Sequence, residues 1–230
     1  MKTIIKVTSI WLLSCLFNPF QAESQGERQV SDTALSIHSN LQLFVDSALI
    51  DHISESLSLR LHHPIPREIV IENNNPWEGS GSGFYSVFRD GDIYRMYYSA
   101  WNFTIKPGKV TDDSHPFFLC YAESNDGIHW RKPNLNLIEF QGSKANNIVM
   151  ASGKSGDVYP DFGHPAVFKD ENPNATPDAK YKAIIRDWSP ESGLKGLLAF
   201  KSSDGFHWQL MSNKPVITDG AFDSQNLAFW

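Results

Sequence analysis

A chain of 230 residues with net charge −6 is long enough to bury a substantial core, and it carries no basic stripe of the kind that binds nucleic acid. Its longest apolar run lies near the N-terminus and is too short to cross a membrane as a helix. Only two cysteines are present, Cys15 and Cys120, so the fold is not a disulfide scaffold.

The chain opens with a secretory pattern. Lys2 and Lys6 flank its start, Val7 to Phe17 is largely apolar, and a polar stretch begins at Gln21. Residues 1–22 are therefore expected to be a signal peptide cleaved after Ala22, which sends the protein to a secreted or periplasmic location. Leu12-Leu13-Ser14-Cys15 resembles a lipoprotein box, but the apolar Leu16-Phe17 that follows argues against anchoring at Cys15. Loss of Lys2 and Lys6 would take the net charge from −6 to −8. It would also leave Cys120 alone, in an apolar strand, as a buried structural thiol. Residues 23–40 read as a flexible linker and 41–230 as the folded domain. Leu43-Phe44-Val45-Asp46 reads as a strand closed by a turn aspartate.

Two long units then share four strand-like segments in one order, a to d. Strand a covers Tyr85–Arg89 and Pro165–Lys169, and strand b covers Ile93–Ala100 and Lys180–Arg186. Strand c covers Phe117–Glu123 and Leu197–Lys201, and strand d starts near His129 and His207. The clearest copy is Ser124-Asn125-Asp126-Gly127-Ile128-His129-Trp130, which returns 78 residues later as Ser202-Ser203-Asp204-Gly205-Phe206-His207-Trp208. Each Asp-Gly pair suits a tight c–d hairpin, because glycine supplies the positive φ. The Ser and Asp should bond turn backbone, and the Trp should wedge between sheets. Two His at a repeat spacing are not a metal site, and neither metal nor cofactor is expected. Asp223 to Trp230 aligns with the start of a third unit. Repeated four-stranded units of this kind predict an all-β fold, a β-propeller, of which the sequence holds two blades and the opening of a third, as a fragment would.

In a propeller, the segments leading into strand a and the b–c loops share one face, around a central channel. Each such segment carries a carboxylate just before strand a: Glu78, Asp161 and Asp223. Glycoside hydrolysis needs such a set, an acid for the leaving oxygen and a carboxylate acting as nucleophile or base, and a third can raise a neighbour's pKa. Trp77 beside Glu78, Trp101, and Asp187-Trp188 at the starts of the b–c loops are candidate sugar contacts, as is His164. Each has a structural alternative: loops are rich in acids, and Trp at a strand end is ordinary packing.

These residues resemble the five-bladed propeller glycoside hydrolases, the superfamily of families 32, 43, 68 and 130. Tyr121 to Trp130, its copy ending at Trp208, and Gly163-His164-Pro165-Ala166-Val167-Phe168-Lys169-Asp170 carry the likeness over about Leu41 to Trp230. The resemblance implies an exported glycosidase acting on an oligo- or polysaccharide, with Glu78 as nucleophile or base, Asp161 as stabiliser and Asp223 as acid. The chain departs from the invertase-like pattern. It has no carboxylate at Ser82 or Gly83, and His164 precedes Pro165 where those enzymes place Asp. The alternatives are a carbohydrate-binding propeller without catalysis, and a sialidase-like one. The latter would have a residue between the turn Asp and Gly and an arginine triad, neither of which is present. The sequence does not specify the oligomeric state.

Overall fold

The computed structural model describes residues 36–43, 45–112 and 115–230. The expected signal peptide, with Cys15, and the first part of the linker lie outside them. The chain divides into a unit ending at Ile65 and a second from Pro66 to Trp230, a boundary inside the stretch read as one domain. Described residues of the first unit form turns and no strand. Of the strand expected at Leu43–Asp46, the described residues Leu43, Val45 and Asp46 form no ladder, and Leu43 and Val45 are exposed. Asp46 is the turn aspartate expected, its Oδ1 accepting from the Ala48 N–H at 2.8 Å.

The second unit is all-β but for two short 3-10 turns, Pro76–Glu78 and Pro177–Ala179. The first sheet runs β1 (Gly81–Asp90), β2 (Ile93–Trp101), β5 (Phe118–Ser124) and β6 (Trp130–Arg131), with β7 (Ile148–Ala151) also on β5. Between β2 and β5 stands a separate two-stranded ribbon, β3 (Phe103–Lys106) and β4 (Lys109–Asp112). The second sheet runs β8 (Pro160–Lys169), β9 (Tyr181–Ser189), β10 (Gly193–Ser202) and β11 (Gln209–Leu210), in sequence order. All strand pairs are antiparallel. The four strands read as a to d are thus present in both copies of the repeat, longer by a few residues at most ends.

The inner strands β2 and β5 are buried on both faces over most of their length, which is why they read as nearly continuous apolar runs. In β2, Tyr97 enters the core between the sheets with Leu119, Tyr121, Phe162, Val167, Ala183, Ile185 and Leu198. Its neighbour Tyr98 faces the other way, into a cluster with Met96, Ala100, Phe118, Cys120 and Ile148, because successive side chains alternate. Cys120 is fully buried and free, and burial pushes its thiol well above the usual range.

The two turn motifs are atomic copies. Ser124 Oγ accepts from Gly127 N at 2.9 Å, and Asp126 Oδ1 accepts from Ile128 N and His129 N at 2.8 Å each. Ser202 and Asp204 repeat these bonds to Gly205, Phe206 and His207 at 2.9, 2.8 and 2.8 Å. Trp130 and Trp208 each donate to the glycine carbonyl, at 3.0 and 2.9 Å. Trp208 packs edge-on against Tyr97 in the core between the sheets, as a wedging residue should. Asp223 to Trp230, read as an opening strand, forms no ladder, and its described contacts to the first strands run instead through the Gln225 side chain.

Candidate functional site

The first strand of each sheet is interrupted near its start. In β1 the register slips between Gly83 and Ser86, and Phe84 takes φ 54°. Positive φ in an aromatic residue is strained, and such strain persists only where the surroundings enforce it. In β8 the register jumps between Asp161 and Ala166, so Phe162, Gly163, His164 and Pro165 bulge out of the ladder. The two bulges meet: the Phe84 and His164 rings lie 4.3 Å apart. The segment around Asp223 joins them, with Phe222 and Ser224 also at positive φ. Gln225 Nε2 donates to Phe84 O at 3.0 Å and to Pro165 O at 2.8 Å. Three segments distant in sequence therefore converge.

Two of the three candidate carboxylates belong to this place. Asp161 is buried, ion-paired to Arg186 Nη2 across the β8–β9 ladder, and accepts from Gly163 N at 2.9 Å. Asp223 is exposed and lies near enough to act electrostatically on His164. Burial, then the Arg186 cation, lower the His164 pKa, and Asp161 and Asp223 oppose them only in part. The imidazole is consequently uncharged at neutral pH, able to donate from one nitrogen and accept at the other. Trp101 borders the same region: its ring centroid is 6.4 Å from that of Phe84, and its ring lies over Gly81 and Gly83. A Cβ on Gly83 would come within 2.8 Å of that ring, so the close approach of backbone to indole requires glycine.

Glu78 is placed elsewhere. It closes the Pro76–Glu78 turn by accepting from Asn75 N at 2.8 Å, pairs with Lys132 at 2.6 Å, and accepts from the Tyr98 hydroxyl at 2.5 Å. It has no exposed surface. Tyr98 faces away from the second sheet, whereas the adjacent Ser99 donates to Phe162 O at 2.7 Å, so Glu78 and Asp161 lie off opposite faces of the first sheet. Trp77 belongs with Glu78, donating to Asn147 Oδ1 at 2.6 Å and packing edge-on against Phe140. A groove of about 380 Å³ runs on that side, between Ile69–Glu72 and Trp130–Lys132. Asp187 and Trp188 hold the approach to β8: Asp187 Oδ1 accepts from Tyr159 N at 2.7 Å, and Trp188 N donates to Tyr159 O at 3.0 Å. The Trp188 side chain is exposed.

Sequence reading missed Arg186, Phe84 and Gln225. Arg186 left a signal, a cation that follows Ala183-Ile184-Ile185 where the first copy of the repeat has Ser99. The conformation of Phe84 and the reach of Gln225 left none.

No protein-family model matches the chain. Two uncharacterized proteins of Mycobacterium tuberculosis, MT1551 (strain CDC 1551 / Oshkosh) and Rv1502 (strain H37Rv), are each 32% identical over 75 residues, 33% of this chain and 23% of theirs. The chain thus spans under a quarter of the length of those relatives. Among solved structures, a Parabacteroides distasonis protein described as a candidate glycoside hydrolase aligns with 19% identity over 58% of this chain and 33% of its own, at TM-score 0.40. The Bombyx mori GH32 β-fructofuranosidase aligns with 21% identity over 56% of this chain and 22% of its own, at TM-score 0.32. At these scores the overlap is partial for both.

Proposed function

We propose that the chain is part of an exported β-propeller of the five-bladed type that hydrolyses glycosidic bonds in an oligo- or polysaccharide. The observation that carries this reading is the convergence of the β1 bulge, the β8 bulge and the Asp223 segment, tied by Gln225, on a place holding Asp161, His164 and Asp223. Asp161, paired to Arg186, suits the stabilising carboxylate, and exposed Asp223 suits the group that protonates the leaving oxygen. His164 and the rings of Trp101 and Trp188 suit recognition of sugar hydroxyls and faces.

A second reading, carbohydrate binding without hydrolysis, is favoured by Glu78, which is sealed in its own network and does not join the other two acids. The full-length protein on a polysaccharide panel separates the two. Asp223→Asn should lower turnover about a hundredfold or more and leave binding largely intact, since general acid–base work contributes that much. Glu78→Gln should act on stability first. A wild type that binds oligosaccharides and cleaves none makes the protein a binding propeller. One that does neither removes both readings.

A further inference from the structure

We infer that Arg186 is the positioning residue of this site: acting through Asp161 and the β8 bulge, it fixes how His164 is presented. The inference rests on the proposed saccharide site, and its test is chosen to stand apart from that reading.

The geometry is a closed lock. Asp161 and Arg186 are directly opposite across β8 and β9, and the guanidinium Nη2 bonds Asp161 Oδ2. The other carboxylate oxygen takes the Gly163 N–H at 2.9 Å. Gly163, the residue before His164, is therefore tied, through one carboxylate, to a cation on the next strand. Space enforces the same arrangement. A Cβ on Gly163 would lie 3.0 Å from Arg186 Nη2, 3.2 Å from Asp161 Oδ1 and 3.2 Å from the Phe117 ring. The bulge lies directly on the ion pair, with Phe117 beside it. Phe84 then closes on the imidazole from the first sheet.

Two further facts bear on what the lock does. The His164 Nδ1 and the Arg186 Nε are buried and have no hydrogen-bond partner among the described residues. Buried polar atoms left unpaired cost about 1–3 kcal/mol each. The charged groups that face His164 are Asp161 on β8, Arg186 on β9 and Asp223 on the following segment. Of these, Arg186 disfavours the imidazolium and the two carboxylates favour it. Arg186 thus sets both the orientation of the ring and its uncharged state, and leaves Nε2 as the ring nitrogen that can meet a sugar hydroxyl. Saccharide affinity should then fall as pH drops through the His164 midpoint, where imidazolium forms beside the guanidinium.

The decisive measurement is an NMR titration of His164 in the ligand-free full-length protein. Arg186→Gln should move the His164 midpoint upward, and Arg186→Lys, which keeps a cation there, should leave it low. Should Arg186→Gln fail to fold, the double variant Asp161→Asn/Arg186→Gln removes both buried charges together, and it too should move the midpoint upward, by less. Any saccharide that binds the wild type should bind Arg186→Gln about tenfold or more weakly, since small misplacements of contact groups cost that much. An unchanged His164 midpoint in both charge-removing variants overturns the inference. A shifted midpoint in a protein that binds no saccharide supports Arg186 as the positioning residue and overturns only the carbohydrate reading.

Discussion

Asp126 and Asp204 show how much one side chain can organise. Each accepts two backbone N–H groups from one oxygen and meets a histidine Nδ1, at 2.7 Å, with the other. These bonds hold the Asp126 carboxyl well below the usual carboxylate range, His129 first among the causes, and the same pair raises His129 above its ordinary value of 6.5. The signs then fix a pH window. The His129 contribution is complete below 6.5 and is lost as pH rises through its raised value. The Asp126 contribution is complete above 3.8 and is lost as pH falls through its lowered value. The first turn should therefore be firmest between about pH 4 and 6.5. Amide exchange of Gly127, Ile128 and His129 should be slowest there relative to random-coil rates, and His129→Ala should abolish the loss on the alkaline side. The clamp was legible from Ser-x-Asp-Gly-x-His-Trp, because every atom it uses lies within seven residues. The role of Glu78 was not, because its partners Tyr98 and Lys132 are 20 and 54 residues away and no local pattern encodes them.

At the scale of strands and turns, most of the second unit was legible: the a to d segments of both copies are β1, β2, β5, β6 and β8 to β11. What escaped was the β3–β4 ribbon, whose exposed Ile105 and Val110 break the usual burial pattern, and β7, a short strand inside a polar stretch. The bulges were invisible too, since a register slip is decided by two strands and not by either alone. The paired turns nevertheless give a sharp comparison. Gly127 and Gly205 both have positive φ, 78° and 86°, so alanine at either should cost about 1 kcal/mol in backbone strain. At Gly127 a Cβ would meet Tyr94 at an ordinary 3.8 Å. At Gly205 it would lie 2.4 Å from the Tyr97 hydroxyl, which is buried and donates to Gly205 O. Gly205→Ala should thus lose about 1–3 kcal/mol more than Gly127→Ala in denaturant melts, the usual toll of overpacking. Equal losses would mean that the second sheet can shift away from the first at little cost.

For the second unit as a whole, the question is what couples the two sheets, and the polar answer centres on Asp90. It lies at the end of β1 and receives Arg95 Nε at 2.8 Å and the Tyr181 hydroxyl at 2.5 Å, the latter from the second sheet. Lys169 and Lys180, also of the second unit's later half, approach its other oxygen at 3.4 and 3.5 Å. Arg95 extends the link, donating to Asp204 O at 3.1 Å and lying over the rings of Tyr121, Tyr181 and Phe206. Burial by itself would raise the Asp90 pKa, but the Tyr181 hydroxyl and the Arg95, Lys180 and Lys169 cations outweigh it and hold the carboxyl below 3.8. Its stabilisation is therefore present above that value and lost as pH falls through the lowered one. Removing the carboxylate leaves the Arg95 guanidinium, 13% exposed, without its ion-pair partner. Asp90→Ala should accordingly cost about 3 kcal/mol or more, because an uncompensated buried charge is the expensive outcome. Lys180→Ala, at a side chain 45% exposed, should cost under about 1 kcal/mol. Chemical denaturation of both variants supplies the stabilities, and hydrogen exchange across β1–β2 and β8–β9 supplies the coupling. In the wild type the two ladders should open together. In Asp90→Ala the β8–β9 amides should exchange ahead of β1–β2, since the apolar core remains but the buried ion that ties Tyr181 to the first sheet is gone. If the ladders still open as one, the aromatic core between the sheets suffices to couple them and Asp90 contributes stability alone.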